Sequence, residues 1–234
     1  MNNSVSTGKK KVILTFDDTG ITQYNTAIPV LKEYGFNATF FVCEFYPDPK
    51  KGRHPDYMCG QELREMAEAG FEIGNHTLHH CRFDSLSDER LLEEIIGMET
   101  LFEQAGLPKP CSLAYPGGYA CDRCIPILKE HGYRCARTNI HEFYQIRKHN
   151  VYEIPAFPVA DKYPGIFEQV IDHLPEPEDG MAVLIYHGLP DPYPPCSTPP
   201  ENFLQQMKIL KERGFQGISL KDFMDSIKPG KNLG

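Results

Sequence analysis

Residues 12–20 read VILTFDDTG, an aliphatic run that ends on two adjacent carboxylates. The run does not alternate with polar residues, which is typical of a strand buried on both faces of a parallel sheet. Asp17 and Asp18 follow where that strand leaves the core, and two like charges this close repel unless a cation or donors offset the repulsion. The stretch therefore predicts a buried strand with a positive group at its carboxyl end. A strand that simply turns in solvent is the alternative, because Asp and Gly are common turn residues.

Similar apolar runs recur along the chain and are separated by segments with helical periodicity. The predicted strands are 12–16, 38–43, 71–74, 111–115, 134–138, 152–157, 181–186 and 217–219. The predicted helices are 25–34, 61–69, a long helix capped by Ser87, 122–131 and 201–213. This alternation predicts an α/β fold, with a closed or nearly closed (β/α) barrel favoured over an open doubly wound sheet. In both architectures the functional groups lie at the carboxyl ends of the strands.

Length, charge and cysteine use narrow the class of protein. We expect the 234 residues to form a single domain, 1–234, with residues 1–10 as a flexible tail. A net charge of −8 argues against nucleic-acid binding. No stretch has the roughly 18 apolar residues of a membrane span, and no leader precedes the first strand, so we expect a soluble chain. As written we expect it to be cytoplasmic, or extracytoplasmic if a leader was trimmed. Cys121 and Cys124 form a lone C-x-x-C, a weak zinc signal, and Cys124 is expected to pack on a helix.

Groups capable of chemistry follow four of the predicted strands. FEIGNHTLHH ends on histidines, LAYPGG on Pro-Gly-Gly and VLIYHG on His187, in addition to the aspartate pair. His76 and His80 are four residues apart, so a helical turn or a tight loop would aim both imidazoles at one point, and Asp18 can add a carboxylate. Two imidazoles and one carboxylate leave room for water, which is typical of a catalytic metal site, most naturally zinc. His79 could replace either histidine but is expected to point away.

The remaining polar groups suggest an acid–base mechanism around this metal site. If Asp18 binds the metal, Asp17 can take a proton from a bound water whose pKa the metal lowers toward about 7. Adjacent strand residues point to opposite faces, so this arrangement requires the strand to break or twist at its end. His187 is a candidate general acid, with a hydrogen-bonded strand-end histidine as the alternative. The N–H groups of Gly117 and Gly118 could face a developing oxyanion, although Pro-Gly-Gly is equally a simple turn.

The motifs TFDD (15–18), ATFFV (38–42), GNHTLHH (74–80) and LIYHG (184–188) resemble, in this order, the polysaccharide deacetylases of carbohydrate esterase family 4, the NodB-homology domain. The resemblance covers nearly the whole chain and implies a deformed (β/α) barrel of seven or eight strands. It implies that Asp17 is the base and His187 the acid, and that Asp18, His76 and His80 bind zinc or another divalent ion. It also implies hydrolysis of N-acetyl groups, or O-acetyl groups, on a glycan that contains amino sugars.

The sequence departs from the family pattern in its third motif. That motif usually has an arginine shortly before Pro-x-Gly, oriented toward the catalytic aspartate, but Ala114 stands at the matching position. Arg137 and Arg123 are the candidates to replace it. Because of this departure, a carbohydrate-binding protein of the same fold without turnover is one alternative function. An amidohydrolase that uses the same site on a small non-sugar amide is another.

The sequence also has no tryptophan, the residue that tends to wall the acetyl pocket in the family. Ile185 matches the apolar pocket residue beside the acid, and Tyr115 or Tyr186 could supply an aromatic wall. Two proline-rich segments, 46–58 and 189–200, follow strands and are expected to lie on the rim that carries the site, as groove walls or as irregular linkage.

Overall fold

The structure is a computed structural model that describes residues 10–176, 179–191 and 196–227. The predicted flexible tail, apart from Lys10, lies outside the described residues. The strands are β1 (Lys11–Asp17), β2 (Thr39–Val42), β3 (Glu72–Asn75), β4 (Ser112–Ala114), β5 (Cys135–Arg137), β6 (Tyr144–Gln145), β7 (Phe157–Pro158), β8 (Gly180–Met181), β9 (Val183–Tyr186) and β10 (Gln216–Ile218). β6 and β8 form a small antiparallel pair, and the other eight strands form one sheet.

The main sheet is parallel throughout and has the order β5-β4-β3-β2-β1-β9-β7, with β10 beside the first half of β1. β1 is central, since it pairs with β2, β9 and β10. Ile13 packs into one core cluster, and Val12, Leu14 and Phe16 pack into the other. Phe16 also stacks on Phe40 of β2, with ring centroids 4.6 Å apart. The prediction of a parallel strand buried on both faces is therefore confirmed.

The sheet curls so that its two edge strands approach each other. Ile154 forms a parallel bridge with Arg137 of β5, and its N–H donates to the Ala136 carbonyl at 2.9 Å. Three residues later the same segment becomes β7, which pairs with β9. A short irregular segment thus joins the edges where a regular barrel would have full-length strands. The prediction of a deformed (β/α) barrel of seven or eight strands is confirmed, and the open doubly wound alternative is excluded.

Helices follow most of the strands. The α-helices are α1 (Ile28–Tyr34), α2 (Gly60–Glu68), α3 (Asp88–Ala105), α4 (Ile125–Glu130), α5 (Ile166–Asp172), α6 (Pro200–Glu212) and α7 (Leu220–Ser226). A π-helical turn, Gln23–Ala27, leads into α1, and single 3₁₀ turns occupy Phe83–Ser85, Pro116–Gly118 and Asp122–Cys124. The Ser87 side chain accepts a hydrogen bond from the Arg90 N–H at 3.3 Å, which confirms it as the cap of α3. Within the described ranges, no helix combines the length and apolarity needed to cross a membrane.

Candidate active site

The carboxyl end of β1 bends where the aspartate pair requires it. Asp18 and Thr19 have φ angles of +74° and +59°, a left-handed conformation that costs a non-glycine residue about 1–2 kcal/mol. The Thr19 hydroxyl holds this bend against the end of β2, because it donates to the Cys43 carbonyl at 2.7 Å and accepts from the Cys43 N–H at 2.8 Å. As a result both carboxylates reach one site: His76 Nε2 lies 3.8 Å from Asp17 Oδ2 and 3.4 Å from Asp18 Oδ1.

Asp18, His76 and His80 form a candidate metal centre at this bend. One ligand atom from each of the three lies within 4.8 Å of the others, and His80 Nε2 is 3.3 Å from Asp18 Oδ1. Asp18 Oδ1 and His76 Nε2 are buried and make no geometrically sound hydrogen bond to any described residue. Since buried polar atoms are almost always satisfied, these two atoms fit the role of ligands to a cation. Two imidazole nitrogens and a carboxylate oxygen suit zinc and several other divalent ions.

The environment of His76 favours the tautomer that a metal needs. Its Nδ1 lies 2.8 Å from the Ala114 carbonyl oxygen, which can only accept, so Nδ1 carries the proton and donates. The Nε2 lone pair is thereby left facing Asp18 and His80. A hydrogen bond from the second ring nitrogen to a carbonyl is the usual way in which a metal-binding histidine is oriented.

The loop that carries the histidines is anchored by Glu94, a buried carboxylate on α3. Glu94 accepts from the His79 N–H at 2.8 Å and contacts His79 Nδ1 at 2.9 Å. His79 therefore points away from the metal centre, as predicted. The turn then reverses through His80, with a φ of +51°, so that its ring lies against His76 with centroids 4.8 Å apart. Sequence reasoning missed Glu94, because it is one of several acidic residues on an amphipathic helix.

The charges in the centre shift one another's pKa values. Burial alone would raise the pKa of Asp18, but the nearby His76, His187 and His80 lower it well below its ordinary value. Burial lowers the pKa of His76, but the Asp17 and Asp18 carboxylates outweigh burial and raise it above its ordinary value. Burial, followed by the neighbouring His76, lowers the pKa of His80. Asp18 is consequently ionised at neutral pH, the form that binds a metal.

Arg137, one of the two candidates to replace the arginine that the third motif lacks, contacts Asp17. Its Nη2 donates to both carboxylate oxygens of Asp17, at 2.7 and 2.6 Å, and both side chains are buried. Arg137 ends β5 and is the register partner of Ala114 in β4. Arg123, the other candidate from the sequence, pairs with Asp88 and with backbone carbonyls outside this site. Of the two arginines, only Arg137 contacts the aspartate.

His187 follows β9 and completes the group around Asp18. Its Nε2 lies 3.8 Å from Asp18 Oδ2, and its side chain is 18% exposed. Gln23, fully buried in the π-helical turn, donates through its side-chain nitrogen to the backbone carbonyls of Asp17 and of His187, the latter at 3.3 Å. Gln23 thus joins the carboxyl ends of β1 and β9. The sequence gives no signal for it, since a glutamine near a helix start is ordinary.

Both tyrosines predicted as an aromatic wall of the acetyl pocket are buried and hydrogen-bonded, and their role as a wall stays a prediction. Tyr115 is buried in the core, and its hydroxyl donates to the Tyr152 carbonyl at 3.0 Å. Tyr186 is also fully buried and donates to the side chain of Gln206 at 3.0 Å. Ile185 lies in β9, two residues before His187, and is buried too. Its role beside the acid stays a prediction.

Of the two donors predicted to face an oxyanion in the Pro-Gly-Gly turn, the Gly118 N–H is bonded within the turn itself. It donates to the Tyr115 carbonyl at 2.8 Å, which argues against the role predicted for it. Gly118 has a φ of +77°, and a Cβ there would overlap the Asn139 side chain, which explains the glycine. Gly117 is exposed with a φ of +69°, and its proposed donor role stays a prediction.

A cavity of about 230 Å³ opens beside the metal centre. Its walls include Asp17, Asp18 and His80, together with Glu44, Asp56 and Tyr57. Both proline-rich segments border it, through Tyr57 in one and Asp191 and Cys196 in the other. Residues 192–195 of the second segment lie outside the described residues.

The fold and the site together define a hydrolase built on a deformed (β/α) barrel, with its polar groups at the carboxyl ends of the strands. The sequence profile described as "Polysaccharide deacetylase" matches residues 4–136, and the chain belongs to this family. The resemblance drawn from the motifs and the predicted class of enzyme, a polysaccharide deacetylase, are thereby confirmed.

Several curated relatives are similar in sequence. A peptidoglycan-N-acetylglucosamine deacetylase of Bacillus cereus is 33% identical over 222 residues, covering 94% of this chain and 91% of the relative. A poly-beta-1,6-N-acetyl-D-glucosamine N-deacetylase of Staphylococcus aureus is 26% identical over 172 residues, covering 70% and 58%. A polysaccharide deacetylase homologue of Bacillus subtilis is 28% identical over 130 residues, covering 56% and 45%. The chain thus spans nearly all of the first relative but only about half of the other two.

Solved structures share the fold at low sequence identity. A peptidoglycan N-acetylglucosamine deacetylase in complex with 4-naphthalen-1-yl-N-oxidanyl-benzamide has a TM-score of 0.66 at 18% identity, covering 94% of this chain and 91% of that chain. A family 4 acetyl xylan esterase from Clostridium thermocellum in complex with a cobalt ion has a TM-score of 0.63 at 20% identity, covering 92% and 91%. A mutant of a family 4 pseudoenzyme with restored activity has a TM-score of 0.63 at 19% identity, covering 93% and 68%. These likenesses show the fold and leave the reaction to be argued from the site.

Proposed function

We propose that the chain is a metal-dependent hydrolase that removes N-acetyl groups from a poly- or oligosaccharide containing N-acetylglucosamine. The observation that carries this proposal is the cluster of Asp18, His76 and His80 beside an aspartate held by a buried arginine. The Bacillus cereus and Staphylococcus aureus relatives, both named as N-acetylglucosamine deacetylases, support the N-acetyl substrate over an O-acetyl one.

Asp18, His76 and His80 would hold the divalent cation, and zinc is among the ions that this donor set suits. When bound there, the cation supplies Lewis acidity, which activates water and polarises the acetyl carbonyl. The bend at Asp18 matters for this role, because it turns the ligand toward the histidines while Asp17 stays beside it.

Asp17 acts as the general base in this proposal. Its carboxylate lies next to Asp18 and takes a proton from the attacking water as the oxygen adds to the acetyl carbon. Arg137 does not touch the substrate; it holds both oxygens of Asp17 in place and stabilises their negative charge. Arg137 is therefore a positioning residue.

His187 acts as the general acid. An amide cannot expel its nitrogen as an anion, so His187 delivers a proton to the nitrogen as the carbon–nitrogen bond breaks. The products are acetate and the free amine of the sugar. The partial exposure of His187 lets it exchange its proton with solvent between turnovers.

Acetate release tests this proposal. Purified protein supplied with a divalent metal should release acetate from N-acetylglucosamine oligomers, and a chelator should abolish the release. Asp17→Asn should retain the metal and lose about 10²–10⁴-fold in kcat, which is the usual contribution of a general base. His76→Ala should lose both metal and turnover, whereas His173→Ala, at an exposed histidine on the end of α5, should change neither. If Asp17→Asn and His76→Ala behave alike, the division of roles is wrong.

The same assay separates the alternative functions. The absence of the motif arginine was the reason to consider a non-catalytic protein. Because Arg137 donates to Asp17, that absence no longer favours the non-catalytic alternative. Release of acetate from small amides but not from oligosaccharides would favour the amidohydrolase. Release from O-acetylated glycans alone would replace the N-acetyl substrate by an ester.

A further inference from the structure

Gln23 contacts the backbone of both residues that carry the proposed proton transfers. The register pairing of β1 and β9 ends with Phe16 and Tyr186. The next residue on each strand is the proposed base, Asp17, or the proposed acid, His187. Gln23 continues the connection beyond the paired region, because its Nε2 donates to the Asp17 carbonyl and, at 3.3 Å, to the His187 carbonyl. One side-chain amide therefore joins the two strands where the sheet no longer does.

The orientation of the Gln23 amide follows from its two partners. Carbonyl oxygens can only accept hydrogen bonds, so the nitrogen of the amide faces them and the oxygen faces away. The side chain is fully buried, and its Oε1 makes no hydrogen bond with any described residue. An apolar side chain of similar length would fill this space without burying an unpaired acceptor, which is unfavourable. The two donated bonds are therefore what this side chain contributes beyond packing.

The residue before Gln23 holds the segment that follows the acid. The Thr22 hydroxyl accepts a hydrogen bond from the Leu189 N–H at 2.8 Å. The backbone N–H of Gln23 donates to the Gly20 carbonyl at 3.0 Å, which ties this turn to the bend at the end of β1. Thr22 and Gln23 together thus hold the chain from His187 to Leu189 against the end of β1.

The base and the acid do not depend equally on these contacts. Asp17 is also held through its side chain, since Arg137 donates to both carboxylate oxygens. The His187 ring is partly exposed, and its Nε2 lies 3.8 Å from Asp18 Oδ2, which is beyond hydrogen-bond distance. The position of the acid is therefore set mainly by the backbone that carries it, and Gln23 bonds to that backbone.

We infer that Gln23 is a positioning residue for proton delivery by His187, an inference that rests on the proposed function. Its two bonds fix the acid relative to the base, so that the imidazole stays within reach of the leaving nitrogen while Asp17 faces the attacking water. Gln23 does not line the cavity and acts only through backbone carbonyls. Its loss therefore lowers kcat and leaves KM and metal content unchanged.

Gln23→Met tests the inference, because it keeps a buried side chain of similar length and removes both donors. Metal-loaded variant should release acetate from N-acetylglucosamine oligomers with kcat about 10²-fold lower, the loss expected when a catalytic group moves by about 1 Å. In a His187→Ala background the same substitution should change kcat by less than about twofold, because the acid that Gln23 positions is absent there. A merely structural role would lower kcat by the same factor in both backgrounds.

Thr15→Val is the matched control. The Thr15 hydroxyl is buried and donates to the Leu184 carbonyl at 2.8 Å, so it also bonds β1 to β9. This bond lies within the paired part of the two strands, where the sheet itself keeps them in place. Thr15→Val should lower the thermal stability, because a buried carbonyl loses its donor, and it should leave kcat unchanged.

Thr22→Val is a second variant, which carries the test if Gln23→Met does not fold. It removes the acceptor of the Leu189 N–H and keeps the shape of the side chain. We expect a smaller loss of kcat than in Gln23→Met, with KM and metal content unchanged. This loss should also be absent in the His187→Ala background.

The outcomes separate this inference from the proposed function. Positioning by Gln23 is overturned if Gln23→Met keeps kcat within about threefold of the parent, or if kcat falls equally in both backgrounds or equally in Thr15→Val. Each of these results leaves the deacetylase intact. A His187→Ala variant as active as the parent would overturn the acid and its positioning together. No acetate from the metal-loaded parent would overturn the proposed function and this inference with it.

Discussion

Replacing Arg137 by methionine removes the guanidinium from Asp17 while keeping a long side chain in the same space. The side chains of Arg137 and Asp17 are only 1% and 6% exposed, so water cannot take over the lost hydrogen bonds. Breaking a buried ion pair from one side typically costs about 3–5 kcal/mol, because the remaining charge is left uncompensated. We expect Arg137→Met to lower the free energy of unfolding by about this amount.

The same substitution should lower kcat much more than it changes KM. Asp17 loses the donor that fixes both oxygens, and a catalytic group displaced by about 1 Å loses about 10²-fold in rate. Arg137 does not line the cavity, so substrate binding is spared. Metal content should also be retained, since Asp18 and the histidines keep their contacts.

Urea unfolding, acetate release and metal analysis on the same preparations check this prediction. Arg123→Met is the matched control, because it removes an exposed ion pair with Asp88 and should leave kcat unchanged. Asp17→Asn combined with Arg137→Met should recover much of the lost stability, since an amide needs no counter-ion. An Arg137→Met variant that keeps kcat within about threefold of the parent, or unfolds within about 1 kcal/mol of it, would refute the reasoning.

Two further predictions concern other parts of the fold. Glu94→Gln weakens the contacts that hold the His79 turn, so a metal titration should show an affinity about 10–100-fold lower than that of the parent. Glu93→Gln, on the exposed side of α3, is the control and should leave the metal affinity unchanged. Equal affinities of the two variants would show that Glu94 does not position the metal ligands. Burial, with smaller contributions from neighbouring groups, raises the pKa of Cys111 from 9.0 to about 11 and that of Cys124 to about 12. The folded state therefore keeps protons that the unfolded state loses above pH 9.0, so these two thiols leave the free energy of unfolding unchanged below that pH and lower it above that pH. Urea titrations should show the free energy of unfolding fall above pH 9.0, and a rise there would contradict the burial of these thiols.

The sequence predicts much of the fold because parallel strands that are buried on both faces read as continuous apolar runs. The predicted 152–157 strand is only partly right, since the Glu153 N–H bonds back to the Asn150 carbonyl in a turn and β7 is confined to Phe157–Pro158. α5 and α7 were not predicted, because neither is followed by the glycine that marks the end of the equally short α1 and α4 in the sequence.

Within the site, the sequence was sufficient to predict the three candidate metal ligands, Asp18, His76 and His80. It was not sufficient to predict the side chains that hold the surrounding backbone in place. His76 and His80 are close in the chain, so a local turn brings them together, whereas Gln23 and Glu94 reach the site only through tertiary contacts.

The arginine that contacts Asp17 lies on β5, whereas the motif position lies on the neighbouring strand β4. Ala114 and Arg137 are register partners on neighbouring parallel strands, so they lie at the same height in the sheet and about 4.8 Å apart across it. An arginine side chain is long enough to cover that difference and still reach Asp17. The proposed function needs a guanidinium at that height beside Asp17, and an arginine on either strand is long enough to supply it. A motif read along the chain cannot detect this exchange, and an alanine at the motif position is therefore no evidence that the base has lost its partner.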